Sequence, residues 1–440
     1  MVDLTRHERH GETPVNPYSL LEAVNTSSHT AHTAWLIFLA VMAYLTIAVA
    51  GVTHKDLLLE TPVSLPILQV DIQLRQFFQF APVVLVLMHV GLVSQLALLA
   101  RETLEFDAAI RLIEATDKRT HPLRLELNNF FFVQAIAGPH RSRVMSAFLY
   151  GMSWLTLIAL PVLLLLYVQV VFLPYHDAGI TWIHRAALIA DVVMLISIGV
   201  FLLRAEASFP QALMRSTRAH PVSFLVTSLV LLSVGLFSFL FATVPGEALD
   251  RFTQRTFGLD SDDNPSGRAR LVRGYAVPVL ASGPDGALLG IFKRNLEVMD
   301  TDVVLGRAQR PGEPSLNLRG RDLRFAKLDR SDLHQADFTG ADLTGASLVG
   351  ADLTGAWMQC ADIVRLVVEG DRDGAGCTRA RRAAFTRARL EGAHLSGIDL
   401  MGATLTDARL EGATLGYALM PGANFSSARL DKADLSGGVE

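Results

Sequence analysis

Two ionisable side chains stand out because they lie within long apolar segments of the sequence. His89 lies near the middle of an apolar segment over about residues 77–100, and Asp191 near the middle of another over about 182–204. Ionisable groups at the centre of a bilayer are costly and usually face a partner or a cavity. We therefore predict that His89 and Asp191 pair, either in a proton or ion path or as an interhelical hydrogen bond. The packing role is favoured, because a pathway normally shows more polar positions per helix.

The two cysteines of the chain, Cys360 and Cys377, are the other candidates for chemistry. In an oxidising compartment they can form a disulfide that stabilises the fold by about 3 kcal/mol, and two free thiols are the alternative. Two cysteines make a weak metal site, and His29 and His32 lack carboxylate or thiol neighbours. The sequence has no phosphate-binding glycine loop, G-x-S-x-G or H-E-x-x-H motif. We therefore predict no enzyme activity and no catalytic, cofactor-binding or metal-binding residues.

The elements that must position His89 and Asp191 are apolar helices. Half of the residues (50%) are hydrophobic and only 19% are charged, which is typical of a chain with a membrane-embedded part. A helix needs about 20 apolar residues to cross ~30 Å of hydrocarbon. The segments that meet this length lie at about 34–53, 77–100, 146–173, 182–204 and 222–244. They predict an α-helical transmembrane bundle of about five spans over residues 34–244, with the lipid bilayer as partner.

The charges of the connecting loops predict the orientation of this bundle. Arginine and lysine are abundant in the loops 101–143 and 205–221, which should be cytoplasmic, and scarce in 54–76 and 174–181, which should lie outside. Residues 1–33 are then a cytoplasmic segment, and the carboxy-terminal half is periplasmic. A gain or loss of one span would make that half cytoplasmic. Apolar faces in the 101–143 loop predict either a helical hairpin or a continuation of the neighbouring spans.

A five-residue period runs through residues 316–437, and neither a helix nor an ordinary strand has that period. A small residue, nearly always alanine, stands two positions before each large one, and the pattern covers 21 units. The predicted core consists of Leu323, Leu328, Leu333, Phe338, Leu343, Leu348, Leu353, Leu390, Leu395, Leu400, Leu405, Leu410, Leu415, Phe425, Leu430 and Leu435. One large and one small inward residue per unit suit a narrow solenoid whose wall turns a corner every few residues.

The repeat resembles the pentapeptide-repeat family, whose motif A-(D/N)-L-x-x stands here as Ala336-Asp337-Phe338, Ala341-Asp342-Leu343 and Ala351-Asp352-Leu353. The resemblance implies a right-handed quadrilateral β-helix with four units per coil, and therefore about five coils over roughly 25 Å. The layout of spans followed by such a domain also resembles a widespread group of bacterial membrane proteins that has no assigned function. This resemblance implies the bacterial inner membrane but no activity.

Two segments interrupt the simple division into spans and repeats. Residues 364–382 break the five-residue period and predict an insertion that leaves the coil. Residues 245–315 are a polar linker with two short strands around a turn at Pro284, Asp285 and Gly286, and they could cap the amino-terminal end of the β-helix. The other end either tolerates water or meets a second copy, so a homo-oligomer is an open alternative.

Three functions are compatible with this organisation. A non-enzymatic membrane protein that displays a rigid β-helix for protein–protein interaction or assembly is favoured, because wall surface is abundant and no catalytic cluster is visible. A channel or transporter with the β-helix as a regulatory domain is the alternative, which His89 and Asp191 allow. Some soluble members of the family resemble duplex DNA and inhibit topoisomerases. Arginines of this β-helix balance its acids, so no nucleic acid partner is expected.

Overall fold

The computed structural model describes residues 16–65, 70–114, 122–139, 142–201, 221–257, 287–288, 292–304 and 313–437. The chain divides into two compact units. Unit 1 comprises Met1–Ile47, Ala81–Leu166 and Ala186–Gly235. Unit 2 comprises Ala48–Phe80, Tyr167–Arg185 and Leu236–Glu440, so the carboxy-terminal repeats share a unit with one end of several long helices.

Helices account for most of the described residues before the repeats. They are α1 Pro17–Ala50, α2 His54–Leu59, α3 Leu74–Glu114, α4 Phe131–Ala137, α5 Arg143–Trp154, α6 Leu160–Phe172, α7 Ala178–Phe201, α8 Pro221–Leu236, α9 Ala248–Phe257 and α10 Ile363–Glu369. The π-helical turn Leu155–Ala159 joins α5 to α6, and the π-helical turn Phe237–Phe241 follows α8. Short 3₁₀ turns cover Pro122–Leu125 and Leu173–Tyr175.

Five helical segments of the described residues are long and apolar enough to cross a membrane, and this number agrees with the sequence prediction. They are Pro17–Ala50, Leu74–Ile113, Arg143–Tyr175, Ala178–Ile198 and Phe224–Phe241. The first begins well before the predicted residue 34. Leu21, Val24 and Ala31 continue the buried face of α1 at helical spacing, so the added turns are amphipathic helix rather than a separate segment.

The predicted cytoplasmic loop 101–143 is also largely helical. Helix α3 continues to Glu114, because Phe106 and Ile110 lie four residues apart on one face and are fully buried. Arg124 then donates to the carboxylate of Asp107 at 2.7 Å. Of the two expectations for this stretch, continuation of the neighbouring span describes residues 101–114 better than a separate helical hairpin does.

The strands outside the repeats form two short antiparallel pairs. These are β1 Val63–Leu65 with β2 Val70–Ile72, and β3 Ala287–Leu288 with β4 Phe292–Lys293. Both strands of the second pair follow the predicted turn at residues 284–286, which lies outside the described residues. In the repeats, β5 Leu316–Asn317 pairs in parallel with β6 Ala336–Asp337.

The repeats form a parallel β-helix with four five-residue units in each coil. Parallel bridges join residues 20 positions apart, such as Asp322 with Asp342 and Asp332 with Asp352. Each large residue also donates its backbone N–H to the next coil, as Leu333 does to the carbonyl of Asp352 at 2.8 Å. The axis is filled by Leu323, Leu328, Leu333, Phe338, Leu343, Leu348, Leu353, Leu390, Leu395, Leu400, Leu405, Leu410 and Leu415, each at most 2% exposed.

The last described coil departs from the predicted core. Leu435 is 45% exposed, and Phe425 and Leu430 are only partly buried. Each inward residue is covered by the coil on either side, and among the described residues no coil follows this one. The correct residue type at the correct spacing is therefore not sufficient for burial at the end of a solenoid.

The boundaries of the insertion also differ from the prediction of residues 364–382. Ile363 is not a repeat position but the first residue of α10, and the ladder resumes at Arg379, which bridges Asp342. Thr378 and Ala380 flank Arg379 and are fully buried, so they take the small and large inward positions of a unit. The pattern missed this unit because alanine stands where leucine is usual.

The β-helix begins before the predicted residue 316. Glu297 bridges Lys327, and Asp302 bridges Asp332, so two further units lie below the first full coil. Their inward residues are Leu296, Val298, Val303 and Val304, all buried. Residues 292–304 thus cover the amino-terminal end of the solenoid by continuing it.

The corners of the coil need backbone with positive φ, and this requirement gives a matched pair of substitutions. Gly345 and Gly350 both have φ +67°, but a Cβ at Gly345 would lie 2.7 Å from the ring of Phe325, whereas one at Gly350 meets only Arg330 Cγ at 3.4 Å. We expect Gly350→Ala to cost about 1–2 kcal/mol and Gly345→Ala to cost about 1–3 kcal/mol more. Thermal unfolding of both variants measures the difference, and equal losses would contradict the Phe325 contact.

Candidate functional site

The predicted partners His89 and Asp191 lie side by side in unit 1. His89 Nδ1 is 2.6 Å from Asp191 Oδ1, and both side chains are at most 1% exposed. His89 belongs to α3 and Asp191 to α7, so the pair joins two apolar helices far from either end. A short contact between two buried polar groups requires a proton between them, because two bare lone pairs would repel.

A third group fixes the orientation of the His89 ring. His89 Nε2 lies 3.1 Å from the carbonyl oxygen of Leu157, within the π-helical turn 155–159. Pro161 stands four residues after Leu157 and has no N–H, so this carbonyl lacks the i+4 donor of an α-helix. A carbonyl only accepts, so Nε2 must carry a hydrogen. On the other side, Phe38 stacks on the imidazole with ring centroids 5.0 Å apart and an interplanar angle of 13°.

The same arrangement recurs at a second proline, and the sequence interpretation did not find it. Pro82 of α3 leaves the carbonyl of Phe78 without a helical donor, and His184 Nε2 lies 2.8 Å from that oxygen. His184 is 1% exposed. Both intrahelical prolines were visible in the sequence, but the histidines lie 68 and 106 residues from the carbonyls that they contact and cannot be assigned to either proline by spacing.

Next to His184, the fully buried Arg185 forms a polar cluster at the helix ends of unit 2. Its guanidinium donates to Glu247 at 2.5 Å and to the carbonyl of Ala242 at 3.2 Å. Trp182 and Phe239 lie against it, with their ring centroids 4.9 Å and 5.7 Å from Arg185 Cζ. The Ala242 carbonyl is available to Arg185 because Ala242 directly follows the π-helical turn 237–241, where the helix ends. The adjacent pair His184 and Arg185 within an apolar segment was the sequence signal for this cluster.

A second buried ion pair, also within unit 2, fixes the start of the solenoid to the helix that follows the last apolar segment. Arg294 donates to Asp250 of α9 at 2.5 Å, and Asp250 also accepts from the backbone N–H of Gly246 at 2.8 Å. Thr243 donates to the same carboxylate at 3.1 Å. Asp250 is 1% exposed, so its charge is compensated entirely by protein groups.

The first full coil adds a third set of contacts. Arg321 donates to Glu60 at 2.9 Å and lies over the ring of Tyr175, 4.1 Å from its centroid. Asp322 accepts from Arg324 at 2.8 Å and lies 3.5 Å from His176 Nδ1. Burial alone would raise the pKa of the Asp322 carboxyl, but the hydrogen bonds from Arg324 and the nearby His176 ring outweigh it and hold that pKa well below its usual range.

His54 makes this junction sensitive to pH. Its Nδ1 accepts the backbone N–H of Glu297 at 3.0 Å, so this nitrogen carries no proton. Burial lowers the pKa of His54 below its ordinary 6.5; the Glu297 carboxylate opposes this shift, and Lys293 adds to it. The unfolded chain therefore binds this proton more readily than the folded one, and the stability due to neutral His54 is complete above pH 6.5 and lost as pH falls below it.

We therefore expect unit 2 to melt at a lower temperature at pH 5 than at pH 8, and His54→Gln to reduce that difference. The glutamine oxygen can accept the Glu297 N–H but does not titrate. His176 is retained in this variant, so the difference between the two proteins reports His54 alone. An identical pH dependence in both proteins would show that His54 does not govern the junction.

The structure joins Cys360 and Cys377 by a disulfide across a sequence separation of 17. Both cysteines are buried, and Leu366 of α10 packs against them. The bridge ties the insertion to the wall at the corner where the chain leaves the coil. Arg372 of the insertion adds a hydrogen bond to the carbonyl of Gly397 at 2.8 Å.

Opening this bridge has a measurable expected effect. Reduction should destabilise the solenoid by about 3 kcal/mol, by the loop-entropy account of a closed loop of this length. The measurement is thermal unfolding of the full chain with and without reductant. The Cys360→Ser/Cys377→Ser double variant serves as control and should already have the lower melting temperature and no reductant dependence. An unchanged melting temperature of the wild-type protein on addition of reductant would argue against the bridge.

One wall of the solenoid carries a ladder of arginines. Arg389, Arg409 and Arg429 occupy the same outward position in three successive coils. Glu391 and Glu411 lie beside them, with Arg409 Nε 2.9 Å from a Glu391 oxygen. The arginine side chains are 46–67% exposed, so these pairs contribute little to stability and leave the guanidinium groups accessible.

Within the described residues, no group of three or more His, Cys, Asp or Glu side chains is arranged to hold a metal ion. The histidines His29 and His32 of α1 therefore do not join a ligand set there. His32 instead stacks on Trp35, with ring centroids 5.9 Å apart, and lies tilted against Phe130, with ring centroids 5.2 Å apart.

Comparison with known proteins agrees with the repeat pattern. The family model for pentapeptide repeats matches residues 317–355, 383–416 and 408–438, with eight copies. No curated protein matches the chain. Among solved structures, the chain is similar to a pentapeptide repeat protein of the cyanobacterium Cyanothece, at 26% identity over 24% of this chain and 58% of that chain, with a TM-score of 0.14.

Two further solved structures are similar over the same kind of region. HetL of the cyanobacterium Nostoc is 20% identical over 32% of this chain and 84% of its own, with a TM-score of 0.20. A pentapeptide repeat protein of the Arabidopsis thaliana thylakoid lumen is 25% identical over 29% and 64%, with a TM-score of 0.12. The match to the family model identifies residues 317–355 and 383–438 as pentapeptide repeats, which imply a right-handed β-helix, and the parallel ladder agrees with that fold.

Proposed function

We propose that the protein crosses a bacterial cytoplasmic membrane five times and holds a rigid, quadrilateral β-helix outside it as a docking surface for a protein partner, without catalysing a reaction. The observation that carries this proposal is a buried ion pair together with a partly exposed one in unit 2. Arg294 with Asp250, and Arg321 with Glu60, connect the solenoid to the helix ends. A domain fixed in this way presents its walls in a constant orientation.

The accessible wall supports a protein partner. The ladder of Arg389, Arg409 and Arg429 offers three guanidinium groups at the spacing of stacked strands, about 4.8 Å apart. Arginine is enriched at the centres of protein interfaces, because its planar group makes several hydrogen bonds at once. The intervening Glu391 and Glu411 keep the wall close to neutral, which disfavours a polyanion such as nucleic acid.

The charges of the connecting loops support a location of this surface outside the cytoplasm. Of the loops that connect the apolar segments, 101–143 and 205–221 carry most of the basic residues, which favours a cytoplasmic location for these two loops and an external β-helix. A disulfide between Cys360 and Cys377 is also typical of an oxidising compartment. A reporter that is active only outside the cytoplasm, fused after Glu440, tests this directly. Activity only from a cytoplasmic reporter at the same position would place the β-helix inside.

Site-specific crosslinking in cells tests the docking surface. A photoreactive residue at Arg389, Arg409 or Arg429 should give one discrete product common to all three positions. The same residue at the buried Leu405 is the matched control and should give none. Failure of all three wall positions would reject this surface. A product with the mass of two chains would identify a second copy as the partner, which the partly exposed last coil also allows.

The second candidate function is a channel or transporter with the β-helix as a regulatory domain. The buried pair His89 and Asp191 favours it, because ionisable groups in a bilayer often mark an ion or proton path. Ion flux in liposomes containing the purified protein measures this function. Flux that disappears in Asp191→Asn and persists in the exposed control Glu105→Gln would establish it in place of the scaffold.

A further inference from the structure

We propose that His89 and Asp191 form an intramembrane proton-binding site, which holds one proton between Nδ1 and Oδ1 and takes up a second at the free carboxylate oxygen, Asp191 Oδ2. The proposal concerns unit 1 and does not depend on whether the β-helix binds a partner. Only the description of the site as intramembrane requires that these helices lie in a bilayer.

The first step is the fixed tautomer of the imidazole. Because Pro161 leaves the carbonyl of Leu157 without the i+4 donor of an α-helix, His89 Nε2 donates to that oxygen at 3.1 Å and keeps its hydrogen. Nδ1 then faces Asp191 Oδ1 at 2.6 Å across a single proton. Whether this proton is bonded to nitrogen or oxygen, the pair carries no net charge, and a neutral pair is the form that a buried, apolar site tolerates.

The second step is the remaining oxygen. Asp191 Oδ2 is buried and receives no hydrogen bond from any residue that the structure describes. A buried carboxylate oxygen without a donor costs free energy, since almost all such groups in proteins are satisfied. The site therefore has one open acceptor within unit 1. A proton needs only this one acceptor, whereas a metal ion needs several ligands that the described residues do not assemble there.

The third step is the proton balance. A proton delivered by water forms an O–H bond at Oδ2, and the shared proton moves fully to Nδ1, so an imidazolium and a carboxylic acid result. The pair changes from zero to one positive charge. Phe38 stacks on the imidazole at 5.0 Å and is 1% exposed, so the new cation lies over an aromatic face. Such a face stabilises a desolvated cation.

The arrangement also limits what the site can do. Nε2 is directed at the Leu157 carbonyl, which cannot accept and pass on a proton, so His89 is not a through-going relay in this conformation. Uptake and release must both occur at Oδ2. The site therefore binds and releases a proton reversibly and changes the charge between α3 and α7. It does not conduct protons across the helices.

Infrared difference spectroscopy on the full-length protein in lipid nanodiscs tests this proposal. On acidification, the wild type should gain a carboxylic acid C=O band from Asp191. The band should be absent in Asp191→Asn and retained in Glu105→Gln, which removes an exposed carboxylate from α3. A spectrum of Asp191→Asn identical to that of the wild type would overturn the proposal and leave the pair as a fixed interhelical hydrogen bond.

A measurement on the wild type covers the case in which Asp191→Asn does not fold. Nitrogen-15 NMR of labelled histidine in the same nanodiscs, assigned with His89→Gln, should show Nε2 protonated throughout and Nδ1 changing from a shared to a bonded proton on acidification. Pro161→Ala returns a backbone donor to Leu157 and should introduce the second tautomer. A His89 signal that does not change with pH in the folded wild type would refute proton uptake.

Discussion

Replacing Arg185 by methionine should destabilise the helix ends of unit 2 by about 3–5 kcal/mol, because the change leaves Glu247 as an uncompensated charge in a buried site. Arg185 is fully buried and donates to Glu247 at 2.5 Å. It also satisfies the carbonyl of Ala242 at the π-helical turn, at 3.2 Å. The measurement is the midpoint of heat-induced unfolding of the purified protein in lipid or detergent.

Two further variants separate charge from shape at this position. Arg185→Lys keeps a cation but loses the planar fork and its stacking on Trp182, so an intermediate loss is expected. Adding Glu247→Gln to Arg185→Met removes the stranded charge and should recover part of the stability. If Arg185→Met unfolded at the wild-type temperature, the ion pair would have no structural role.

The second large effect is expected at the attachment of the solenoid, where Asp250→Asn should also cost about 3–5 kcal/mol. The amide presents an N–H₂ group where a carboxylate now accepts from Arg294, Gly246 N and Thr243. It also leaves Arg294 charged and buried. Unfolding of unit 2 and protease cleavage between α9 and the repeats should both become easier, and both can be followed on the full chain.

The matched control is another Asp–Arg pair of the same solenoid. Asp300 and Arg330 contact each other but are 59% and 58% exposed. Exposed pairs gain little, because water and salt screen the charges. We expect no measurable change in unfolding for Asp300→Asn. Equal effects of the two substitutions would mean that burial does not distinguish the attachment from the wall.

Much of the site could be predicted from the residues alone, because an ionisable residue is recognisable from the apolar segment that surrounds it. His89 and Asp191 are conspicuous because each interrupts an apolar helix, and a polar group in such a segment needs a partner. The same argument should have found Arg185, which stands in the same segment as Asp191. Leu157 offered no signal through its own side chain, because its contribution is a backbone carbonyl that Pro161 leaves free.

The sequence by itself determined the β-helix and the five apolar helices. Each layer of a solenoid contacts only its neighbours, so its inward positions recur at a fixed interval. The pattern can therefore be recognised in the sequence without knowledge of the structure. Exceptions follow physical reasons: Ala380 fills a position usual for leucine, and Leu435 lies in an end coil.

Only the tertiary structure identified Glu247 as the partner of Arg185, and only it showed the contact that the sequence could propose for His89 and Asp191. Arg185 and Glu247 are 62 positions apart, His89 and Asp191 are 102 apart, and no spacing rule relates the members of either pair. Their contact depends on which helices are neighbours and how each is rotated about its axis. Those quantities are set by side-chain packing over the whole helix surface, whereas a periodic pattern along the chain specifies only which face of each element is buried.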